Sequence, residues 1–117
     1  MRNFKELQIW HEAMNLAVNA DSYCKFLPES EKYNLTSQIK RSAVSIPTNI
    51  AEGCSRTSQK EFKRYIEVAV RSGYEVENLL LLTDRIFLEE KMPSKEILDQ
   101  LVILEKRMIR FYQKIRV

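Results

Sequence analysis

Between Phe62 and Phe87 the positions Phe62, Ile66, Ala69, Gly73, Val76, Leu80, Thr83 and Phe87 recur at alternating steps of four and three residues. A strand alternates every two residues, so this spacing is available only to a helix that keeps one narrow face against a partner for almost four heptads. It predicts the longest helix of the chain, over about 58 to 89. Ser58 and Glu61 form a capping box at its start, in which each side chain satisfies an orphan amide. The rest of the chain must supply what this face packs on. The 117 residues contain only two glycines and three prolines, where average usage would give roughly 14, so a fold with many tight turns is disfavoured. A chain of this length makes one domain, residues 1–117, because a second could not bury a core of its own.

Three further helices follow from period and punctuation. Leu7, Trp10, Met14, Ala17, Ala20, Cys24 and Leu27 place a first helix at about 5 to 25. Pro28, with Glu29 and Glu31 behind it, marks a break and restart, since proline suits a first turn and carboxylates favour the positive end of the helix dipole. The second helix turns Leu35, Ile39, Ala43, Ile46 and Ile50 inward. Pro47 lies inside it, without an amide donor and with its ring against the carbonyl of Ala43, which predicts a kink near Pro47. Gly53 is expected to end that helix in the left-handed conformation. Pro93 is expected in the first turn of the fourth helix, whose inward set is Ile97, Leu101, Leu104, Met108, Phe111 and Ile115. Short connections make the fold class all-α, an antiparallel up-down four-helix bundle.

Apolar residues are 44% and charged residues 30% of the chain, too apolar for disorder and too polar for a membrane protein. No run approaches the roughly 18 apolar residues of a membrane span, and the opening Met1-Arg2-Asn3-Phe4-Lys5-Glu6 has no apolar stretch of a signal peptide, so a cytoplasmic location is expected. Cys24 and Cys54, far apart and accompanied by the single His11, cannot assemble a four-ligand zinc site and read as reduced thiols. No glycine-rich phosphate loop, paired-carboxylate motif or serine elbow is present. The sequence therefore predicts no enzyme, no metal and no cofactor.

Leu79-Leu80-Leu81-Leu82 and Leu101-Val102-Ile103-Leu104 each put apolar residues on every side of their helix, because consecutive residues are about 100° apart. A hairpin centred near residue 91 would set the two tetrads side by side as one apolar belt. A single bundle needs one stripe per helix, so the excess predicts a homo-oligomer contacting through Leu79, Leu81, Leu82, Val102 and Ile103.

Charge is polarised in the same frame. Residues 1–12, 47–67 and 106–117, which an up-down bundle gathers at one pole, carry 11 basic and 5 acidic groups. Residues 21–35 and 78–100, at the other pole, carry 5 basic and 8 acidic groups, so the net charge of +3 conceals an axial dipole. Arg56, Lys60, Lys63, Arg64, Lys106, Arg107, Arg110 and Lys114 are the candidate nucleic-acid-binding residues, because a concentrated positive field attracts phosphate backbones. No aromatic stacking platform or recognition-helix motif accompanies them, which predicts backbone contact with weak sequence preference. Pro47, Asn49, Glu52, Gly53 and Arg56 are read as a structural motif in which polar contacts tie the kinked helix end, with Glu52 expected to pair with Asn49 or Arg56.

The stretch Gln38-Ile39-Lys40-Arg41-Ser42-Ala43-Val44-Ser45-Ile46-Pro47-Thr48-Asn49-Ile50-Ala51-Glu52-Gly53, followed by Arg56, closely resembles the signature of a bacterial family. These are the four-helix-bundle proteins encoded in intervening sequences of 23S ribosomal RNA genes, sometimes labelled ribosomal proteins. Phe4, Leu7, Trp10, Ala13, Pro28, Glu31, Leu35, Ser72 and Glu75 match as well. The resemblance implies an antiparallel bundle, commonly a ring-like homopentamer, without known catalysis. The chain is also similar in its bundle to accessory proteins of diversity-generating retroelements, which bind nucleic acid and a reverse transcriptase. Two functions follow as expectations: an oligomer that binds RNA or DNA through its basic pole, or an oligomeric scaffold that binds a protein partner.

Overall fold

Each stretch of helical period folds as a helix in the computed structural model, which describes residues 1–117. α1 is Gln8–Cys24, α2 Leu35–Cys54, α3 Gln59–Ile86 and α4 Lys95–Lys114, with short 3₁₀ turns at Phe4–Glu6 and Glu29–Glu31. The start of α3 forms one half of the expected capping box: Ser58 Oγ accepts the Glu61 amide at 3.1 Å, and the Glu61 carboxylate makes no return bond. Pro93 lies ahead of α4, not in its first turn, and the flanking residue is Ser94. The Ser94 hydroxyl does not cap the helix. It sits 3.0 Å from the Tyr23 hydroxyl and donates to Asp84, so one buried serine links α1, α3 and α4 at the acidic pole.

Around the bundle each helix packs on the next in the order α1, α2, α3, α4, α4 closes on α1, and neither diagonal pair meets. The cross-contacts run in opposite chain directions on all four sides. Asp21 pairs with Lys40 and Cys24 with the Thr36 carbonyl; Ser45 bonds Ser72 and Gly53 packs on Tyr65; Ser94 meets Asp84 and Phe111 meets Phe62; Asn19 bonds Gln100 and Arg107 bonds Glu12. The core is continuous along the axis. Leu16, Ile39, Ile46, Ile50, Phe62, Ile66, Leu80, Leu101, Leu104 and Met108 are essentially inaccessible.

The α3 register is the one its spacing predicts, with Phe62 through Thr83 buried at every named position. The α1 register is the predicted one only in its second half, where Ala20, Cys24 and Leu27 are buried. Ile9, Ala13, Leu16, Ala20, Tyr23 and Cys24 face the core, whereas Met14 is 41% exposed and Trp10 and Ala17 are half-buried. α1 has two adjacent apolar stripes. In the first half the stripe of Ile9, Ala13 and Leu16 turns inward, and the small Ala13 at its centre lets neighbouring helices close in.

Gly53 also differs from expectation. It has no positive φ and remains inside α2, so it does not end the helix in the left-handed conformation. A Cβ built on it would lie 2.7 Å from Tyr65 Cβ and 3.4 Å from Phe62 Cδ1. The glycine is a point of close helix approach. Because the obstructing atom is the root of a side chain, Gly53→Ala forces α2 and α3 apart and is expected to destabilise by about 1–3 kcal/mol. A urea midpoint equal to that of the parent would refute this packing role. Pro47 is buried within α2, and the helix continues through it to Cys54.

Candidate functional site

The antiparallel order gathers the starts of α1 and α3 and the ends of α2 and α4 at one pole, where the eight predicted basic residues fall into two groups. Three are held by their own chain. Arg56 donates to the Tyr65 hydroxyl at 2.6 Å and stacks on that ring at 4.9 Å. Lys63 donates to the Ile115 carbonyl at 3.3 Å with its ammonium 4.6 Å from the Tyr112 ring centre. Arg107 pairs with Glu12. Lys60, Arg64, Lys106, Arg110 and Lys114 are exposed and take part in none of the four ion pairs of the chain. Lys60, Lys63, Arg64 and Tyr112, with Glu61 and Glu67, line a shallow depression of about 790 Å³ at the start of α3, and Lys106, Arg110 and Lys114 follow one stripe of α4 at four-residue spacing. A cation without an acid partner keeps its field for a ligand, and of the eight predicted cations only Arg107 has one, while the side chains of these five form no bond within the chain at all.

The expected polar tie at the end of α2 breaks into separate contacts. Asn49 donates to the Ser45 carbonyl at 2.8 Å and to Ser45 Oγ at 2.9 Å, and Ser45 continues to Ser72 at 2.8 Å. Arg56 turns to Tyr65 instead. Glu52 is exposed, and it is its carbonyl, not its carboxylate, that receives a bond, from Ser55. No buried donor depends on the Glu52 side chain, contrary to expectation, because the Asn49 amide is already spent on Ser45 and Arg56 on Tyr65.

The predicted oligomer residues also divide. Leu79 is buried at 6% exposure inside its own bundle, so it is a core residue and not a surface one. Leu81, Leu82 and Ile103 are 48%, 43% and 51% exposed, and Val102 is half-buried. The Asp84–Ser94 bond and the Gly73–Glu105 packing both centre the α3/α4 hairpin on residue 89. The two tetrads are therefore staggered by about one turn, and not level.

A second apolar surface lies on the opposite side, between α1 and α2. Phe4, Trp10, Met14, Val18, Val44 and Pro47 line an open groove of about 630 Å³. Its signal in the sequence was the extra α1 stripe, assigned there to the core. Also missed was Glu105, buried at 5% exposure on α4, with Oε2 lacking any hydrogen-bond partner. Burial, and the Glu77 carboxyl facing it, push the Glu105 carboxyl from its ordinary 4.5 up to about 8. A lone glutamate in a charged helix carries no mark of this.

The remaining reactive groups are tied down. Burial pushes the Cys24 thiol up to about 11 and raises Cys54 as well, which suppresses their thiolates. His11 donates a ring nitrogen to the Lys5 carbonyl at 2.6 Å. No helix is long and apolar enough to cross a membrane.

A family model described as 23S rRNA-intervening sequence protein matches residues 5–110. Among solved structures, a protein of unknown function from the S23 ribosomal protein family of Bacteroides thetaiotaomicron VPI-5482 superposes with a TM-score of 0.81 at 24% identity, covering 91% of this chain and 99% of that one. That likeness shows the shared fold. No curated protein matches the chain.

Proposed function

Since the chain belongs to the 23S rRNA-intervening sequence protein family, we propose that it is a non-enzymatic homo-oligomer, a ring of five, that binds RNA or DNA backbone through its clustered basic poles. The observation that carries this reading is the cluster of exposed cations at one end of an axially polarised bundle, Lys60, Arg64, Lys106, Arg110 and Lys114 among them, where Arg107 alone is paired with an acid. Assembly amplifies it. The chain has two unlike apolar faces on opposite sides, the α1/α2 groove and the α3/α4 face, and unlike faces make head-to-tail contacts that close into rings. Both run along the 47 Å long axis of the bundle. Subunits joined through them stand side by side and parallel, and all basic poles share one rim. Such a rim has the strong local field that binds phosphates without reading bases.

The test is a fluorescence anisotropy titration with structured ribosomal RNA and with duplex DNA at low and physiological salt. Affinity is expected to fall with salt at a log-log slope near −0.9 per duplex phosphate neutralised. The triple reversal K60E/R64E/R110E is expected to weaken binding about tenfold or more at low salt. No binding to either nucleic acid at low salt, or intact binding by the triple variant, reduces the pole to solvated surface. The scaffold reading would then stand, favoured by the open α1/α2 groove, and its mark is a protein partner whose capture survives nuclease and high salt.

A further inference from the structure

The α3/α4 face has a carboxyl pair set in its apolar surface. On α3, Glu77 lies between Tyr74 and Leu81, which are 52% and 48% exposed, at the spacing that puts all three on one stripe. On α4, Glu105 occupies the corresponding stripe between Val102 and Ile109. Its Oε2 is buried without a partner, Gly73 packs against its Cγ, and no ion pair of the chain involves either glutamate. A subunit docking on this face would strip the pair of its remaining water. One proton between two carboxyl groups still leaves a negative charge, which is costly to bury uncompensated, so the covering surface must supply a cation.

Resting on the side-by-side ring, we propose that Arg41 of each subunit docks on the Glu77–Glu105 pair of the next. Arg41 is exposed and forms no ion pair; it stands on the outer stripe of α2 with Val44 and Thr48, which line the apolar groove, and on its other side borders a polar hollow shared with Ser45 and Glu75. Its neighbour Lys40 is already committed to Asp21 at 3.3 Å, which also neutralises the acid at that end of the groove. Height along the axis selects Arg41 as well. Ser45 bonds Ser72 across α2 and α3; one turn further, in opposite directions on the antiparallel helices, brings Arg41 level with Val76, beside Glu77. Glu105 packs on Gly73, one turn from Glu77. A closed ring has no rise between subunits, so groups at equal height on the two unlike faces meet. The guanidinium fork can serve two carboxyl groups at once, which a lysine ammonium does less well.

The experiment is sedimentation velocity over a concentration series with the parent chain, R41E, E77K and the double variant R41E/E77K, folding being checked by thermal melts. Each single reversal is expected to raise the concentration needed for assembly about tenfold or more, and the double to recover most of that loss. Should E77K not fold, R41A, E77Q and their combination replace it; the pair then loses no more than either single change. A parent chain that is monomeric up to 100-fold above about 1 µM overturns the ring reading and this contact with it. A parent chain that assembles while the single variants assemble equally well, or a double variant whose losses add, overturns the Arg41 contact and leaves the ring.

Discussion

Replacing Phe62 with alanine is expected to destabilise the chain by about 3–5 kcal/mol, the range for deleting a buried ring. Phe62 is wholly inaccessible, in the first turn of α3, where α2 and α4 pack on it at the basic pole. The Phe111 ring meets its edge at 6.0 Å, and the Arg2 guanidinium covers its face at 3.9 Å. Gly53 leaves α2 room to approach it. The Arg2 amide is fixed to the Cys54 carbonyl at 2.9 Å, so the ring also anchors the opening segment over the end of α2. Truncation opens a cavity that rigid helix backbones cannot fill and removes the surface on which Arg2 rests. Urea denaturation checks this. A loss below about 1 kcal/mol would mean that the pole collapses around the void, and that convergence on Phe62 does not hold these helices together.

What the sequence made legible follows from how one-dimensional each feature is. The α3 register could be read because a single apolar stripe there leaves no competing face. α1 offered two stripes 100° apart, and which one turns inward depends on how closely α2 and α4 can approach. Ile9, Ala13 and Leu16 take the core from Trp10, Met14 and Ala17 in the first half of the helix, and period alone does not decide between them. Gly53 was read from local backbone preference, whereas its neighbour is Tyr65, on the next helix. Leu79 looked like surplus apolar surface because it stands in a run of four leucines, yet it follows Val76 by three residues and precedes Thr83 by four, on the margin of the buried stripe of α3.

The candidate site divides in the same way. That the pole is basic could be counted along the chain, because helix direction alone assigns residues to ends. Which cations remain free could not. Arg107 meets Glu12 across 95 residues of sequence, Lys63 reaches a carbonyl in the last residues, and Arg56 prefers a tyrosine to the nearby Glu52. Glu105 is the extreme case. Its character comes from Glu77 and from its depth between two helices, and neither is written near it.

That depth gives the molecule a pH dependence with a definite sign. The folded chain keeps a proton on Glu105 up to about pH 8, whereas an unfolded glutamate releases it near 4.5. Between those values the folded state binds more protons, so raising the pH favours unfolding. The stabilisation from this group is complete below about pH 4.5, declines steadily, and is gone above about pH 8. Glutamine keeps the shape and cannot ionise. Glu105→Gln is therefore expected to change stability little at pH 5 and to raise it at pH 9, by an amount of order 3 kcal/mol. A cation from a neighbouring subunit would pull the other way by favouring the ionised carboxyl. The comparison is accordingly made in the R41E background, where the new glutamate is common to both chains and cancels in the difference. Urea titrations at pH 5, 7 and 9 should give a difference that grows with pH across this window. Parallel curves would mean that Glu105 is already ionised in the folded chain at neutral pH, and that the two carboxyl groups between α3 and α4 do not share the field that their burial creates.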